Sequence, residues 1–98
     1  MREKLAEPLR DSFVKVVVDI ERRILSAVCE YHVDCAEELS EDGSKAENLW
    51  GANVNFGDKS IAFVSLINIK PALGNRAMEI KLPDIREKVE VVIRKFLF

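Results

Sequence analysis

The sequence predicts an α+β fold of order β-α-β-β-β-α, in which an antiparallel sheet packs two helices on one face. Three patterns predict it: a β-branched run at 13–18, an apolar stripe with helical spacing at 19–41, and a hairpin at 48–69 followed by a second helical stripe. An antiparallel sheet with both helices on one face buries these stripes with few layers. At 98 residues, 48% of them hydrophobic, the chain forms a single domain, 1–98. We expect residues 1–12 to be a frayed terminal segment.

The hairpin is the most specific element, because its turn and its hydrophobic pattern select the same register. Gly57-Asp58 suits a two-residue turn whose glycine has a positive φ. Closure there pairs Val54 with Ile61 and collects one apolar face: Trp50, Ala52, Val54, Phe56, Ile61, Phe63 and Ile67. A slip of one residue would scatter that face. We therefore expect Val54 and Phe63 to be buried.

Residues 19–41 are predicted to form one long amphipathic helix. Their apolar residues recur at spacings of three and four, with Asp19 as N-cap and Gly43 as the stop. The opposite side carries a stripe of carboxylates: Glu30, Asp34, Glu37 and Glu41. Such a stripe is typical of a solvated helix face and is favoured here over a cation site.

The C-terminal third is predicted to hold a short edge strand and a final helix. Met78, Ile80 and Leu82 alternate with charged residues, as an edge strand does. The helix opens at Pro83-Asp84, with Asp84 as cap, and buries a stripe of apolar residues: Ile85, Val89, Val92 and Phe96. The tail Phe96-Leu97-Phe98 is apolar, so we expect a second copy to cover it in a symmetric dimer.

The amino-acid composition indicates the growth temperature of the source organism and limits the kinds of partner that the protein can bind. The chain contains no Gln and no Thr, whereas Glu, Lys and Arg together number 26, a bias typical of hyperthermophile proteins. Residues 1–49 carry a net charge of −5 and residues 50–98 one of +3, which favours contact between the halves within or between subunits. The pI near 5.4 argues against nucleic acid as a partner. No apolar run is long enough for a membrane span, and we expect a cytoplasmic protein.

Cys29, His32 and Cys35 are the residues with metal-ligand chemistry, at spacings of three. On a helix, six positions rotate the chain by about 600°, so the two cysteines point apart and we expect no disulfide between them. Their side chains would not converge on one ion, so we expect neither a metal nor another cofactor. A packed thiol pair beside a hydrogen-bonded histidine is the favoured interpretation.

Catalytic and ligand-binding candidates are few. His32, Asp34 and Glu30 are the candidates for acid–base catalysis, although residues two apart on a helix do not face each other. A second set surrounds a loop and offers donors to a small anionic ligand: Asn68, Lys70, Asn75 and Arg76. The alternative for this second set, which we favour, is a loop held together by its own side chains.

Seven short phrases between Val16 and Leu97 form a further pattern: His32-Val33-Asp34-Cys35-Ala36-Glu37, Glu41-Asp42-Gly43-Ser44, Leu49-Trp50-Gly51-Ala52-Asn53, Ser65-Leu66-Ile67-Asn68-Ile69-Lys70-Pro71, Gly74-Asn75-Arg76, Met78-Glu79-Ile80 and Ile85-Arg86-Glu87-Lys88-Val89. The pattern resembles a small prokaryotic family known as a domain of unknown function. The resemblance implies no activity. Members often carry glycines just before the position of Glu30, where this chain has Ala27-Val28-Cys29, so it does not imply a helix break here.

Two functional hypotheses follow. The first is a small cytosolic, non-catalytic binding or interaction protein that self-associates, which the apolar tail and the charge asymmetry favour. The second is a small enzyme with a pocket around His32, Asp34 and Arg76. A concave site that gathers His32, Asn68 and Arg76 would favour the enzyme, and their dispersal would favour the interaction protein.

Overall fold

The computed structural model describes residues 14–98, and the expected terminal segment 1–12 lies outside them. One antiparallel sheet has the order β2-β1-β3-β4, with strands β1 Val14–Asp19, β2 Ile24–Cys29, β3 Leu49–Asn55 and β4 Ser60–Ala62. The helices are α1 His32–Glu41 and α2 Pro83–Leu97, and short 3-10 turns cover Ala46–Asn48, Leu66–Asn68 and Pro71–Leu73. The α+β class, with an antiparallel sheet and two helices, is confirmed. The observed order is β-β-α-β-β-α, so α1 follows the second strand rather than the first.

The two helices lie on opposite faces of the sheet, so the expectation that both cover one face is wrong. The reason is β1, whose Val16, Val17 and Val18 are all fully buried although they alternate between faces. Val16 and Val18 join the core under α2, and Val17 joins the core under α1. A strand that is apolar on both faces requires a covering layer on each.

The predicted helix 19–41 is wrong in its first half, where β2 occupies Ile24–Cys29. Asp19 Oδ1 accepts hydrogen bonds from the backbone N–H groups of Glu21 and Arg22 at 2.9 and 3.0 Å, as an N-cap carboxylate would. Arg23 then adopts a left-handed φ of 59°, which reverses the chain so that Ile24 pairs with Asp19. The spacing of four from Ile20 to Ile24 fits a strand as well as a helix, because four is a multiple of the strand period.

The hairpin register is confirmed, but its turn differs from the prediction. Val54 pairs with Ile61, and both Val54 and Phe63 are buried. The turn spans four residues, 56–59, and its left-handed residue is Lys59, with φ 61°, instead of Gly57. The side chain of Asn55 closes the turn by accepting a hydrogen bond from the Gly57 N–H at 2.7 Å.

The expected edge strand at 78–82 is reduced to one antiparallel bridge between Val64 and Glu79. The Ile80 N–H donates to the Phe63 carbonyl at 2.9 Å, and the Ser65 N–H donates to the Met78 carbonyl at 3.0 Å. Pairing stops there because the chain enters the 3-10 turn Leu66–Asn68.

Helix α2 begins at Pro83 with Leu82 as N-cap, so Asp84 is not the cap. Its buried residues are Val89, Val92 and Ile93, whereas Phe96 is 52% exposed, contrary to the prediction. The buried stripe follows spacings of four from Val89 through Ile93 to the partly buried Leu97, which turns Phe96 outward.

Cys29 and Cys35 form a disulfide, with their Cα atoms 5.8 Å apart, so the expectation of unbonded thiols is wrong. The helical rotation argument fails because Cys29 ends β2 and only Cys35 lies on α1. The disulfide therefore joins the end of β2 to the first turn of α1.

Val28 has an unusual backbone conformation beside this disulfide. Its φ is 61°, and it is the extra residue of a β-bulge, because Lys15 pairs with Cys29 while Val16 pairs with Ala27. A left-handed conformation costs an L-residue about 1–2 kcal/mol, and a β-branched residue is an outlier there. The disulfide and the bulge together hold Val28 in this conformation.

We expect Val28→Gly to stabilise the protein. Glycine removes the left-handed penalty at φ 61°, although its greater freedom in the unfolded chain offsets about 0.5–1 kcal/mol of the gain. The free energy of unfolding should rise by about 0.5 kcal/mol, measured by denaturant unfolding followed by circular dichroism.

Val91→Gly is the matched control, because Val91 is also exposed, by 60%, and lies in the interior of α2. Glycine in the helix should lower the free energy of unfolding by about 0.5 kcal/mol. Two changes of the same sign would show that Val28 is not strained.

Candidate functional site

Gly51, in the middle of β3, is buried where two other parts of the chain approach the strand closely. A Cβ atom built on Gly51 would lie 2.6 Å from Ser65 Cβ and 3.1 Å from His32 Cδ2. His32 is the first residue of α1, and Ser65 immediately precedes the 3-10 turn Leu66–Asn68. The helix and the loop therefore meet over the one strand position that has no side chain.

The carboxamide of Asn68 makes the hydrogen bonds to Gly51 that a neighbouring strand would otherwise make. Its Oδ1 accepts from the Gly51 N–H at 2.7 Å, and its Nδ2 donates to the Gly51 carbonyl at 2.9 Å and to the Met78 carbonyl at 3.0 Å. A carboxamide carries one donor group and one acceptor, like a peptide unit, so it satisfies both backbone groups of Gly51. Asn68 is fully buried, and these three bonds occupy both ends of its amide.

The side chain of Asn75, seven residues after Asn68, also hydrogen-bonds to the backbone of the loop. Its Nδ2 donates to the carbonyls of Asn68, Ala77 and Glu79 at 2.8–3.1 Å, and its Oδ1 accepts from the Lys81 N–H at 2.7 Å. Asn75 is also fully buried. The two asparagines therefore hold the loop, which is the alternative that the sequence favoured over a ligand site.

The other two candidates for anion binding have different environments. Lys70 Nζ donates to the Ile67 carbonyl at 2.9 Å and to the Ala46 carbonyl at 3.2 Å, and it lies 5.1 Å from the centroid of the Trp50 ring. Burial lowers the pKa of Lys70. Arg76 is exposed. Of the four candidates, Arg76 is therefore the one whose charged group faces solvent without serving the loop backbone.

His32 is partly buried, and its ring Nε2 lies 2.9 Å from the Ala52 carbonyl. A carbonyl oxygen only accepts, so Nε2 carries the proton and the neutral ring is the Nε2–H tautomer. Burial lowers the pKa of His32; the bond to Ala52 opposes this, Lys15 lowers it further, and a hydrogen bond with Asn53 raises it. The ring is therefore a structural donor that is favoured in its neutral form.

The structure brings together only some of the predicted site residues. His32 and Asn68 both contact Gly51, whereas Glu30, Asp34 and Arg76 are exposed. Four clefts of the described chain, with volumes of about 300 to 500 Å³, are lined by other residues.

Over residues 14–98, no three His, Cys, Asp or Glu side chains are placed to hold a metal ion. Within the same range, no helix has the length and apolar character that crossing a membrane requires.

Gly51 and Ser65 are site residues that the sequence prediction missed. A glycine inside a strand pattern signals close approach of another part of the chain, and Trp50-Gly51-Ala52 carries that signal. Ser65 has no comparable signal, because its role depends on where β4 ends.

Four exposed apolar residues flank this contact in sequence, and we call them the apolar patch: Tyr31, Val33, Val64 and Leu66. Tyr31 and Val33 flank His32, and Val64 and Leu66 flank Ser65, so the His32–Gly51–Ser65 contact brings the two backbone segments that carry them together. Helix α1 also contacts the 3-10 turn Leu66–Asn68 directly. All four side chains are exposed, Leu66 by 70%. Grouped exposed apolar residues of this kind mark interaction surfaces.

The fold and the site define a small α+β domain in which His32, Asn68 and Asn75 hydrogen-bond to the backbone and four exposed apolar residues flank the contact at Gly51. The chain belongs to the family described as "Protein of unknown function (DUF5674)", whose model matches residues 1–96. The resemblance to a domain of unknown function is thereby confirmed. Comparison with curated proteins gives no match, and comparison with solved structures gives none either.

We expect Gly51→Ala to destabilise the fold by about 1–3 kcal/mol, because the new methyl group would overlap Ser65 Cβ. The measurement is chemical unfolding of the single variants and of the double variant Gly51→Ala/Ser65→Gly. Removal of the Ser65 side chain makes room for the methyl group, so the double variant should be more stable than the sum of the single effects by about 1 kcal/mol. Strict additivity would show that Ser65 is not the residue that excludes a side chain at position 51.

We expect the melting temperature to depend on pH through His32. Its pKa is 6.5 in the unfolded chain and lower in the folded protein, so between the two values the unfolded chain binds more protons. This contribution to stability is fully present above pH 6.5 and is lost as pH falls through the folded pKa. The measurement is thermal unfolding from about pH 7.5 to about pH 5.5.

His32→Gln is the control for this prediction, because glutamine can donate to the Ala52 carbonyl and does not titrate. The melting temperature of the native protein should fall more steeply on acidification than that of the variant. Parallel curves would show that another group is responsible.

Proposed function

We propose that the protein is a small, non-catalytic interaction protein that forms a symmetric dimer through the apolar patch. The exposure of Tyr31, Val33, Val64 and Leu66 around one tightly packed contact carries this proposal. The contact fixes the backbone beneath the patch, so association would order few side chains beyond those of the patch itself.

Charge supports a second copy as the occupant of the patch. Glu37 on α1 and Arg76 in the loop are exposed charges of opposite sign. In a two-fold dimer the α1 side of one subunit can lie against the loop side of the other, so Glu37 of one subunit would face Arg76 of its copy. The charge difference between the two halves of the chain then has a structural use.

The C-terminal tail offers less support for association than the sequence suggested. Leu97 packs against the core under α2, and the Phe98 ring packs edge to face on Phe56, with their centroids 6.0 Å apart. Phe96 remains exposed. Because two of the three tail residues contact their own domain, the apolar patch is the better candidate interface.

The enzyme alternative receives less support from the geometry. It needs a carboxylate and Arg76 to converge on His32, yet Glu30, Asp34 and Arg76 are exposed and the His32 ring donates to the Ala52 carbonyl. In the Nε2–H tautomer the basic nitrogen is Nδ1, and no carboxylate of residues 14–98 hydrogen-bonds to the ring to orient it. The partly buried position of His32 favours a packing role.

We also propose a cytoplasmic location in a thermophilic organism. The absence of Gln and Thr and the abundance of Glu, Lys and Arg support high growth temperature. The Cys29–Cys35 disulfide is compatible with this, since intracellular proteins of hyperthermophiles are disulfide-rich.

We expect Leu66→Glu to dissociate the dimer. Leu66 is the most exposed residue of the patch, and a carboxylate there would be desolvated at the interface. Light scattering or sedimentation should show a dimer for the native chain and a dissociation constant raised at least about ten-fold in the variant.

Val91→Glu is the matched control, because Val91 is 60% exposed on α2 and lies outside the patch. This variant should remain a dimer. A native protein that is monomeric at high concentration would refute the proposed dimer, and equal dissociation of both variants would refute the proposed interface.

A further inference from the structure

The Cys29–Cys35 disulfide has two sulfur atoms in unequal environments. Cys35 is buried, in the cluster that contains Val17, Leu39 and Leu49. Cys29 is partly exposed and is followed by the exposed residue Glu30. A thiol that approaches from solvent therefore reaches Cys29 first, and Cys35 becomes the leaving sulfur.

The position of Cys35 also suits it to be the leaving sulfur. Cys35 is the fourth residue of α1, so it lies in the first turn of a ten-residue helix. The N-cap residue Tyr31 provides no side-chain hydrogen bond to that turn. The partial positive charge of a helix N-terminus favours a thiolate, and this offsets the apolar surroundings of Cys35, which disfavour one.

The backbone beside Cys29 favours opening of the bond. Val28 is held at φ 61° in the bulge that precedes Cys29. Once the sulfur–sulfur bond is broken, Cys29 is no longer tied to α1, and only the sheet pairing of Cys29 and Ala27 holds the bulge. Any relaxation of Val28 toward a negative φ then favours the reduced state over the oxidised one.

Charges around the disulfide discriminate between reacting thiols. Glu30 directly follows Cys29 and Asp34 directly precedes Cys35, and both are exposed. Lys15, opposite Cys29 in the sheet register, is partly buried and balances only one of them. An anionic thiol is repelled by the excess carboxylate, and a cationic thiol is attracted.

We propose that the Cys29–Cys35 disulfide is a thiol–disulfide exchange site that oxidises thiols carried by neutral or cationic molecules. The first thiolate attacks Sγ of Cys29, the sulfur–sulfur bond breaks, and its electron pair passes to Sγ of Cys35. A second thiolate then attacks the substrate sulfur of the mixed disulfide and displaces Cys29. Two substrate thiols become one disulfide, and their two protons end on Cys29 and Cys35.

The first experiment compares three small thiols on the folded, oxidised protein. Cysteamine is cationic, 2-mercaptoethanol is neutral and 3-mercaptopropionate is anionic. The rate of disulfide loss is measured by alkylation and mass spectrometry. It is expressed per thiolate and divided by the rate of the same thiolate with the neutral 2-hydroxyethyl disulfide, because intrinsic nucleophilicity rises with the pKa of the thiol. We expect the rate to fall by about two- to five-fold from cysteamine to 2-mercaptoethanol, and by a similar factor from 2-mercaptoethanol to 3-mercaptopropionate. In the double variant Glu30→Gln/Asp34→Asn the three rates should become similar. Equal rates in the native protein would overturn the charge preference.

The second experiment tests which sulfur is attacked. With cystamine, Cys35→Ser should form a mixed disulfide at Cys29, whereas Cys29→Ser should react at least about ten-fold more slowly because Cys35 is buried. Circular dichroism establishes that both variants are folded. Equal reaction of both variants would overturn the proposal.

The native protein provides a test that needs no variant. Reduction of the disulfide should be faster than global unfolding under the same conditions, as followed by hydrogen exchange. Reduction only at the rate of unfolding would overturn the proposal. The Leu66→Glu variant separates this site from the proposed dimer, because exchange should proceed in the variant whether or not it is monomeric.

Discussion

The pairing of the Asn68 carboxamide with the backbone of Gly51 is the interaction on which the rest of the site depends. Strand β4 ends at Ala62, so no strand partner reaches Gly51 on that side of β3, and the Asn68 amide supplies the donor and the acceptor instead. The pairing anchors the 3-10 turn Leu66–Asn68 to the sheet. It thereby places Ser65 over Gly51 and leaves Leu66 facing solvent.

This arrangement is stable only because no polar group of the two buried amides is left without a partner. Asn68 makes three hydrogen bonds to the backbone and Asn75 makes four. A buried carboxamide without partners would destabilise the fold by several kcal/mol, at about 1–3 kcal/mol for each unpaired group. Since both ends of each amide are bonded to the backbone, these hydrogen bonds favour one conformation of the loop.

An element of the fold can be predicted from the sequence when the residues of that element alone determine its structure. The register of the hairpin was predictable because Val54 and Ile61 follow a period that only one pairing preserves. The strand β2 was not predictable, because Asp19 accepts hydrogen bonds from the N–H groups of Glu21 and Arg22 in a hairpin turn just as it would at a helix start. The chain turns into a strand instead of a helix at Arg23, and its left-handed φ cannot be predicted from the residue type.

The candidate site shows the same limit. His32, Asn68 and Asn75 were recognised as polar residues of interest, and a loop held by its own side chains was the preferred interpretation of the asparagines. Their contacts were not predictable, because the Gly51 pairing requires β4 to end at Ala62. The disulfide was missed for a related reason. Once residues 24–29 are a strand, Cys29 no longer follows the helical rotation that separated it from Cys35.

The first turn of α1 unites these features. A helix of ten residues is marginal by itself, and the N-cap Tyr31 gives it no side-chain hydrogen bond. Two cross-links act in place of that cap, the Cys35 disulfide to the end of β2 and the His32 hydrogen bond to the Ala52 carbonyl of β3. They leave the first turn in opposite directions across the sheet, so they fix both the position and the rotation of α1. The glycine at position 51 is what lets His32 come close enough to provide the second link.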